Sequence, residues 1–204
     1  MLLSRRTVAL TGAATLAGAG FALAQTSDEM TIGAATARVS LVEYASTTCR
    51  HCAEFHEHNW AVLKANYIDT GRVRLTMREM ATPPASVALA IFQLARAQGA
   101  DANEYFRRLA ILYQRQQSFF EAGAVENLRV ALVRLGGEWG LTEAQVMTSL
   151  RDETGLARIR RSMEEAQARG VTGTPTFFLN GERITDAAFH TTDGMRRRLD
   201  AAAG

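Results

Sequence analysis

The two cysteines of the chain, Cys49 and Cys52, are the only ones among its 204 residues, and they stand between a strand-like and a helix-like segment. Residues 39–45, before them, are mainly apolar and predict a strand that can occupy a central position in a sheet. The residues after them predict a helix that begins near Cys49 and runs toward Leu63. A dithiol at the junction of a strand and a helix favours an α/β fold that carries redox chemistry.

Further strands are predicted on both sides of a long helical block. Residues 73–77 alternate between apolar and polar side chains, as a strand does. Residues 176–179 and 183–184 predict two strands joined by a tight turn at Asn180-Gly181, and a short helix around Met195 follows them.

The helical block extends from about residue 85 to residue 170, where apolar residues recur with helical spacing. The patterns Asp101-x-x-Glu104 and Thr142-x-x-Gln145 predict capped helix starts, and Gly136-Gly137 is predicted to separate two helices. The order βαβ, helical block, ββα predicts one α/β domain over residues 25–204 with a helical insertion, because neither half of the sheet can form alone.

The first 24 residues predict an export signal. They contain Arg5-Arg6, then an uncharged stretch that ends in the small-residue pattern Ala22-Leu23-Ala24, which is typical of a cleavage site. The segment around Arg5-Arg6 approaches a twin-arginine signal, but Val8 stands where that signal usually has Phe, so ordinary secretion stays an alternative. An uncleaved membrane anchor is a further alternative, because 18 uncharged residues are just long enough to span a bilayer. Residues 25–38 predict a loosely held arm.

The charge distribution excludes a basic binding face. The chain has 23 basic and 21 acidic residues, a formal net charge of +2, and both surplus charges lie in the predicted signal. Residues 25–204 carry 21 basic and 21 acidic residues and are therefore neutral. A neutral body gives no electrostatic basis for binding nucleic acid or an anionic membrane.

Paired cysteines have four common uses, and the spacing here favours one of them. A structural disulfide between residues three apart gains little, because the stabilisation grows with loop length. A c-type haem site needs His directly after the second cysteine, where this chain has Ala53. A metal site would have to recruit Cys49, Cys52 and His56, and helical spacing prevents His58 from joining them at one ion. A redox dithiol fits best, and export predicts an oxidising compartment.

The redox interpretation has a physical basis in the predicted helix start. There, the free backbone N–H groups and the positive end of the helix dipole favour the thiolate of Cys49. Charges on Arg50 and His51 would lower its pKa further, unless these side chains are merely solvated. Cys49 is then the exposed attacking sulfur and Cys52 the buried partner one turn along. A depressed thiol pKa stabilises the reduced state and makes the disulfide an oxidant.

The order of these motifs resembles a known family. The strand, Cys49-Arg50-His51-Cys52 at a helix start, the long helical insertion and the segment Gly170–Phe178 together are similar to the DsbA-like branch of the thioredoxin fold. The resemblance covers residues 32–203 and is closest to single-domain periplasmic DsbA-family proteins. It implies an α/β thioredoxin fold in which a helical insertion separates the βαβ and ββα halves.

The resemblance also implies roles for individual residues. Cys49 matches the nucleophile, Cys52 the resolving cysteine, and His51 the histidine that stabilises the thiolate. Glu43, the only charged residue of its predicted strand, matches the acid that relays a proton to the resolving thiol. A carboxylate on an apolar strand needs a partner if it is buried, although a solvated strand face is an alternative.

Substrate contacts are implied for three further residues. Pro175 matches the cis-proline that faces the active site, and Thr174 before it offers backbone groups to an extended substrate. Arg50, where DsbA proteins usually have proline, is predicted to contact substrate beside the cysteines.

The function implied is that of a periplasmic thiol–disulfide oxidoreductase that introduces disulfides into exported proteins and needs no cofactor beyond its redox-active cysteine pair. Reduced exported proteins are the expected substrates, a membrane redox partner is expected to reoxidise it, and the chain is expected to be a monomer because no added dimerisation region precedes the first strand. Two alternatives remain: a reductase or isomerase kept reduced by a donor, since such enzymes also carry Thr before the cis-proline, and a metal-binding or metal-delivery module using Cys49, Cys52 and His56.

Overall fold

The protein was analysed as a computed structural model, which describes residues 29–120 and 127–204. The predicted signal, residues 1–24, lies outside the described residues. The strands are β1 (Met30–Ile32), β2 (Val39–Ala45), β3 (Val73–Glu79), β4 (Thr176–Leu179) and β5 (Glu182–Arg183). The helices are α1 (Arg50–Leu63), α2 (Ala85–Ala95), α3 (Ala102–Gln114), α4 (Leu128–Glu138), α5 (Glu143–Leu150), α6 (Glu153–Ala168) and α7 (Thr192–Ala203).

The strands form one mixed sheet in the order β1-β3-β2-β4-β5. β2 and β3 are parallel, and the remaining neighbours are antiparallel. β2 lies at the centre of the sheet, as its nearly continuous apolar sequence predicted. Helices α2–α6 are inserted between β3 and β4, so the predicted thioredoxin fold with a helical insertion is confirmed.

The two faces of β2 pack against different elements. Leu41 and Ala45 face the main core, which also includes Phe55 of α1. Val42 and Tyr44 face the other side and pack in a smaller cluster with residues of α6 and β4. Because side chains alternate along a strand, position 43 shares the face of Leu41 and Ala45, toward the main core. This placement brings a carboxylate into the interior behind α1.

The N-terminal arm differs from its prediction. Residues 25–38 are predicted as a loose arm, but Met30–Ile32 forms β1 and pairs antiparallel with β3. Ile32 is buried, and the hydroxyls of Thr31 and Thr76 lie 2.9 Å apart. Three residues are too few to show strand periodicity in a sequence, and the edge of β3 supplies the pairing.

Two further boundaries are corrected, while the capped starts are confirmed. Gly136-Gly137 lies within α4, which ends at Glu138, and Gly140 in the following turn has a φ of 78°. The last strand covers Glu182–Arg183 rather than 183–184. The side chains of Asp101 and Thr142 cap α3 and α5 as predicted. Within residues 29–120 and 127–204, no helix is both long and apolar enough to cross a membrane.

Candidate active site

Cys49 occupies the N-cap of α1. After β2 ends at Ala45, the chain turns so that the backbone N–H of Cys49 donates to the carbonyl of Ser46 at 3.1 Å, and α1 begins at Arg50. The Ser46 hydroxyl accepts from the hydroxyl of Thr82 at 2.8 Å, which ties this turn to the loop after β3. The predicted helix start is therefore confirmed. As the N-cap residue, Cys49 lies at the N-terminal end of α1.

The loop before β4 meets the sulfur of Cys49. The peptide bond Thr174–Pro175 is cis, and the carbonyl of Thr174 accepts from the Cys49 thiol at 3.2 Å. Residues 125 positions apart in the sequence thus form one site. The predicted placement of Pro175 opposite the cysteine pair agrees with this geometry.

The surroundings of Cys49 favour its thiolate. They lower the pKa of the thiol from about 9 to about 5, chiefly because the Cys52 thiol donates a hydrogen bond to the Cys49 sulfur. The side chain of Thr174 and the backbone N–H groups of Cys52 and His51 also lower it, whereas partial burial raises it. The contact with the Thr174 carbonyl is available only to the protonated thiol and opposes ionisation, but the donors outweigh it.

Cys52 has the opposite character. It is buried, and burial is the main reason that the pKa of its thiol is raised well above its ordinary value. The negative charges of Cys49 and Glu43 add to this effect. The backbone N–H of Ser46, 3.5 Å from the Cys52 sulfur, acts against it. The pair therefore consists of one readily ionised, partly exposed sulfur and one buried thiol that holds its proton.

Glu43 is fully buried and has a partner that was not predicted. Its two carboxylate oxygens lie 3.0 and 3.1 Å from Nε2 of His56, which is itself buried on α1. The alternative of a solvated strand face for Glu43 is therefore wrong. Sequence analysis singled out His56 only as a possible metal ligand, and no local pattern links it to a strand residue 13 positions earlier.

The side chains of Arg50 and His51 both bind Glu54 at the surface of α1. Both side chains are exposed, with Arg50 Nε donating to Glu54 at 2.7 Å and His51 Nδ1 lying 3.1 Å from the same carboxylate. Their partnership lowers the pKa of Glu54, mainly through the hydrogen bond from Arg50. Of these two residues, the backbone N–H of His51 is what acts on Cys49. The roles of the His51 ring and of Arg50 in exchange stay predictions.

Gln116 connects the helical insertion to the active-site turn. It lies in a short 3₁₀ turn, Gln116–Phe119, that follows α3, and its side chain is buried. Its amide nitrogen donates to the carbonyls of Thr47 and Cys49 at 2.8 and 3.0 Å. Sequence analysis missed this residue, because nothing in a helical periodicity identifies a glutamine that reaches 67 positions back along the chain.

Two grooves flank the N-terminal end of α1. One, of about 460 Å³, is lined by His51, Glu54, Phe55, His58, Thr174, Pro175 and His190. The other, of about 810 Å³, lies on the side of the insertion, and Arg50, Pro84 and Phe120 contribute to it. The first groove runs along the cis-proline loop and can accept an extended segment beside Cys49. Burial lowers the pKa of His190 there, so its ring is more readily neutral.

A metal site was the remaining alternative for the cysteines. Among the residues that the structure describes, no group of three or more His, Cys, Asp or Glu side chains is arranged to hold a metal ion. His56, the proposed third ligand, is hydrogen-bonded to Glu43 instead.

Comparison with known proteins agrees with this geometry. Residues 25–201 match the family described as Thioredoxin. A protein of Rickettsia typhi that is provisionally named a protein-disulfide oxidoreductase is 30% identical over 175 residues, which are 86% of this chain and 62% of that protein. A Rickettsia felis protein with the same provisional name is 32% identical, over 86% of this chain and 60% of its own length. The chain thus spans about three fifths of these curated relatives.

Solved structures share the fold. The crystal structure of α-DsbA1 from Wolbachia pipientis superposes with a TM-score of 0.77 at 20% identity, covering 89% of this chain and 94% of that one. Oxidised BdbD from Bacillus subtilis gives a TM-score of 0.68 at 16% identity, covering 86% and 92%.

Proposed function

Because the chain belongs to the thioredoxin family and has a DsbA-like fold, we propose that it is a thiol–disulfide oxidoreductase that introduces disulfides into exported proteins. The observation that carries the proposal is the asymmetry of its cysteine pair. Cys49 is partly exposed at a helix N-cap with its thiol pKa lowered to about 5, whereas Cys52 is buried with its thiol pKa raised.

The exchange begins with the disulfide form of the pair. A substrate thiolate attacks Cys49, whose sulfur is the accessible one, and Cys52 leaves with the electron pair of the broken bond and takes up a proton. The second thiolate of the substrate then attacks the substrate sulfur that is bonded to Cys49, and Cys49 leaves as a thiolate. The substrate has lost two electrons and gained a disulfide, and the enzyme is left as a dithiol. A stable Cys49 thiolate favours this last step, because a thiol of low pKa leaves more readily.

The lowered pKa of the Cys49 thiol supports the oxidising direction. Lowering the pKa of a thiol stabilises the reduced form of its pair at every pH above that pKa. A more stable reduced form makes the disulfide a stronger oxidant. The same reasoning weighs against the alternative of a reductase or isomerase kept reduced by a donor.

The groove along the cis-proline loop supports protein substrates. Thr174 and the end of β4 offer backbone groups to which an extended segment can add as a strand. We propose reduced exported proteins as these substrates, the periplasm as the location after removal of residues 1–24, a membrane partner as the source of oxidising equivalents, and a monomeric state.

Oxidation of a peptide with two cysteines tests the proposal. The oxidised protein should convert the reduced peptide to its disulfide with one-to-one stoichiometry. Cys49→Ser should abolish the reaction. Cys52→Ser should instead react with an added small-molecule disulfide, forming a mixed disulfide on Cys49 and releasing one small thiol. Failure of the wild-type protein to oxidise the peptide would refute the proposal, and reduction of a peptide disulfide under the same conditions would support the reductase alternative.

A further inference from the structure

A buried polar pair lies behind the two cysteines. Glu43 of β2 is fully buried, His56 of α1 is 5% exposed, and Nε2 of the imidazole lies at nearly equal distances from both carboxylate oxygens. Burying two such groups is costly unless each satisfies the other. A single imidazole N–H shared between two oxygens satisfies Glu43 and leaves one more ring nitrogen on His56.

The second ring nitrogen of His56 is held away from solvent. Nδ1 is buried and makes no hydrogen bond within the described residues. The ring stacks on Tyr113 of α3, with centroids 4.4 Å apart, and on Trp60, at 5.5 Å. Four titratable groups on the surrounding elements interact with this pair. Glu43 has charge interactions with Cys52, Tyr105, Tyr113 and His190, and Tyr113 also contacts His56. Within this buried cluster, Nδ1 of His56 is therefore a nitrogen without a hydrogen-bond partner that can bind a proton.

Cys52 needs a nearby group that can accept its proton and return it. Its thiol must lose a proton before its sulfur can attack a mixed disulfide on Cys49, and it must regain one when it leaves. Cys52 is fully buried, so its thiol has no direct contact with bulk water. Cys52 and His56 lie one turn apart on the same face of α1, and His56 is hydrogen-bonded to Glu43. The charge of Glu43 also raises the pKa of the Cys52 thiol.

We propose that His56 is a positioning residue that acts through Glu43, so that the Glu43–His56 pair, rather than the carboxylate alone, receives and returns the proton of Cys52. This inference rests on the proposed exchange function. With the imidazole neutral, the pair carries one negative charge, and with one added proton it is a neutral carboxylate–imidazolium pair. The proton therefore moves within the buried cluster, and the net charge of the cluster does not change.

The step balances without a further reactant. The Cys52 proton passes to the Glu43–His56 pair while the Cys52 sulfur forms a bond with the Cys49 sulfur. The bond between Cys49 and the substrate sulfur breaks, and the substrate leaves as a thiolate with that electron pair. In the opposite direction the pair returns the proton to the departing Cys52.

Reaction of the reduced protein with excess dithiobis(nitrobenzoate) separates the two cysteines. The first release of thionitrobenzoate reports attack by Cys49 on the reagent, and the second reports attack by Cys52 on the mixed disulfide. His56→Gln keeps an N–H donor for Glu43 but cannot bind the proton. Glu164→Gln, which replaces an exposed titratable side chain on α6 that lines neither groove, is the control.

His56→Gln should leave the first release unchanged and slow the second about tenfold or more at pH 7, since general acid–base groups contribute about 10²–10⁴-fold in rate. The pH profile of the second release should lose one ionisation, while Glu164→Gln keeps the wild-type profile. An unchanged second release in His56→Gln, with Glu43→Gln slowed, would overturn the role of His56. Absence of the first release in the wild-type protein would instead refute the exchange function.

A measurement on the wild-type protein does not depend on how a variant folds. The midpoint of the pH profile of the second release should move with temperature as an imidazole ionisation does, because the proposal places the added proton on His56 in the carboxylate–imidazolium pair. A midpoint that is insensitive to temperature, as for a carboxyl group, would overturn the inference.

Discussion

Replacing Cys49 with serine should change the pH dependence of the reduced protein's stability. Folding lowers the pKa of the Cys49 thiol from about 9 to about 5. At pH 7 the thiol keeps its proton in the unfolded chain and has lost it in the folded one. The pH then lies about two units above the folded pKa, and each unit corresponds to about 1.4 kcal/mol of stability. The upper limit is therefore about 3 kcal/mol, and because solvent screens a partly exposed group we expect about 1–2 kcal/mol.

The sign of this effect is set by the lowered pKa. The contribution is fully present above about pH 9 and is lost as the pH falls through about 5. Serine does not ionise, so the free energy of unfolding of reduced wild type minus that of Cys49→Ser should rise from pH 4.5 to pH 8. Urea denaturation with an unchanged m-value, under reducing conditions, measures this difference. A difference that stays constant over this range would refute the reasoning, whatever its size.

Four other substitutions probe the site and its support. Thr174→Val removes a side chain that lowers the pKa of Cys49, so an ultraviolet titration of the thiolate should give a midpoint higher by up to about one pKa unit; an unchanged midpoint would contradict this. Gln116→Leu leaves two buried carbonyls without a donor and should reduce the free energy of unfolding by about 1–3 kcal/mol in urea, whereas no loss would show that the bonds are dispensable. Gly194→Ala places a methyl carbon against a backbone carbonyl and should destabilise by about 1–3 kcal/mol, while Gly137→Ala, in open space on a helix, should stabilise by up to about 1 kcal/mol; equal melting shifts would contradict the packing argument.

Local patterns predicted those parts of the fold that depend on neighbouring residues. The nearly continuous apolar run of β2 indicated a central strand. Cys49 lies at the N-terminal end of the helix that follows, where the sequence predicted that helix to begin. Asn180 and Gly181 both adopt positive φ in the predicted tight turn. In each case the signal is contained in a few consecutive residues, because turn geometry and strand burial restrict which side chains fit.

Contacts between distant segments could not be predicted in this way. Sequence analysis identified Glu43 as a carboxylate in need of a partner, but His56 becomes that partner only when α1 packs on the sheet. Gln116 reaches the active-site turn from the insertion, and its amide looks like any polar residue at a helix end. β1 is too short to show its own periodicity and depends on the edge of β3.

The reduction potential of the cysteine pair tests the central claim most directly. Thioredoxin, with a cysteine pKa of about 7, has a potential of about −270 mV. With the Cys49 pKa at about 5, the reduced form at pH 7 is stabilised by up to about 2.3 kcal/mol more than with a pKa of about 7. At about 30 mV per 1.4 kcal/mol, and allowing for solvent screening, this raises the potential by about 20–50 mV. Equilibration with glutathione buffers at pH 7 should therefore give a potential between about −250 and −220 mV. A potential at or below about −270 mV would contradict an oxidant driven by the Cys49 thiolate.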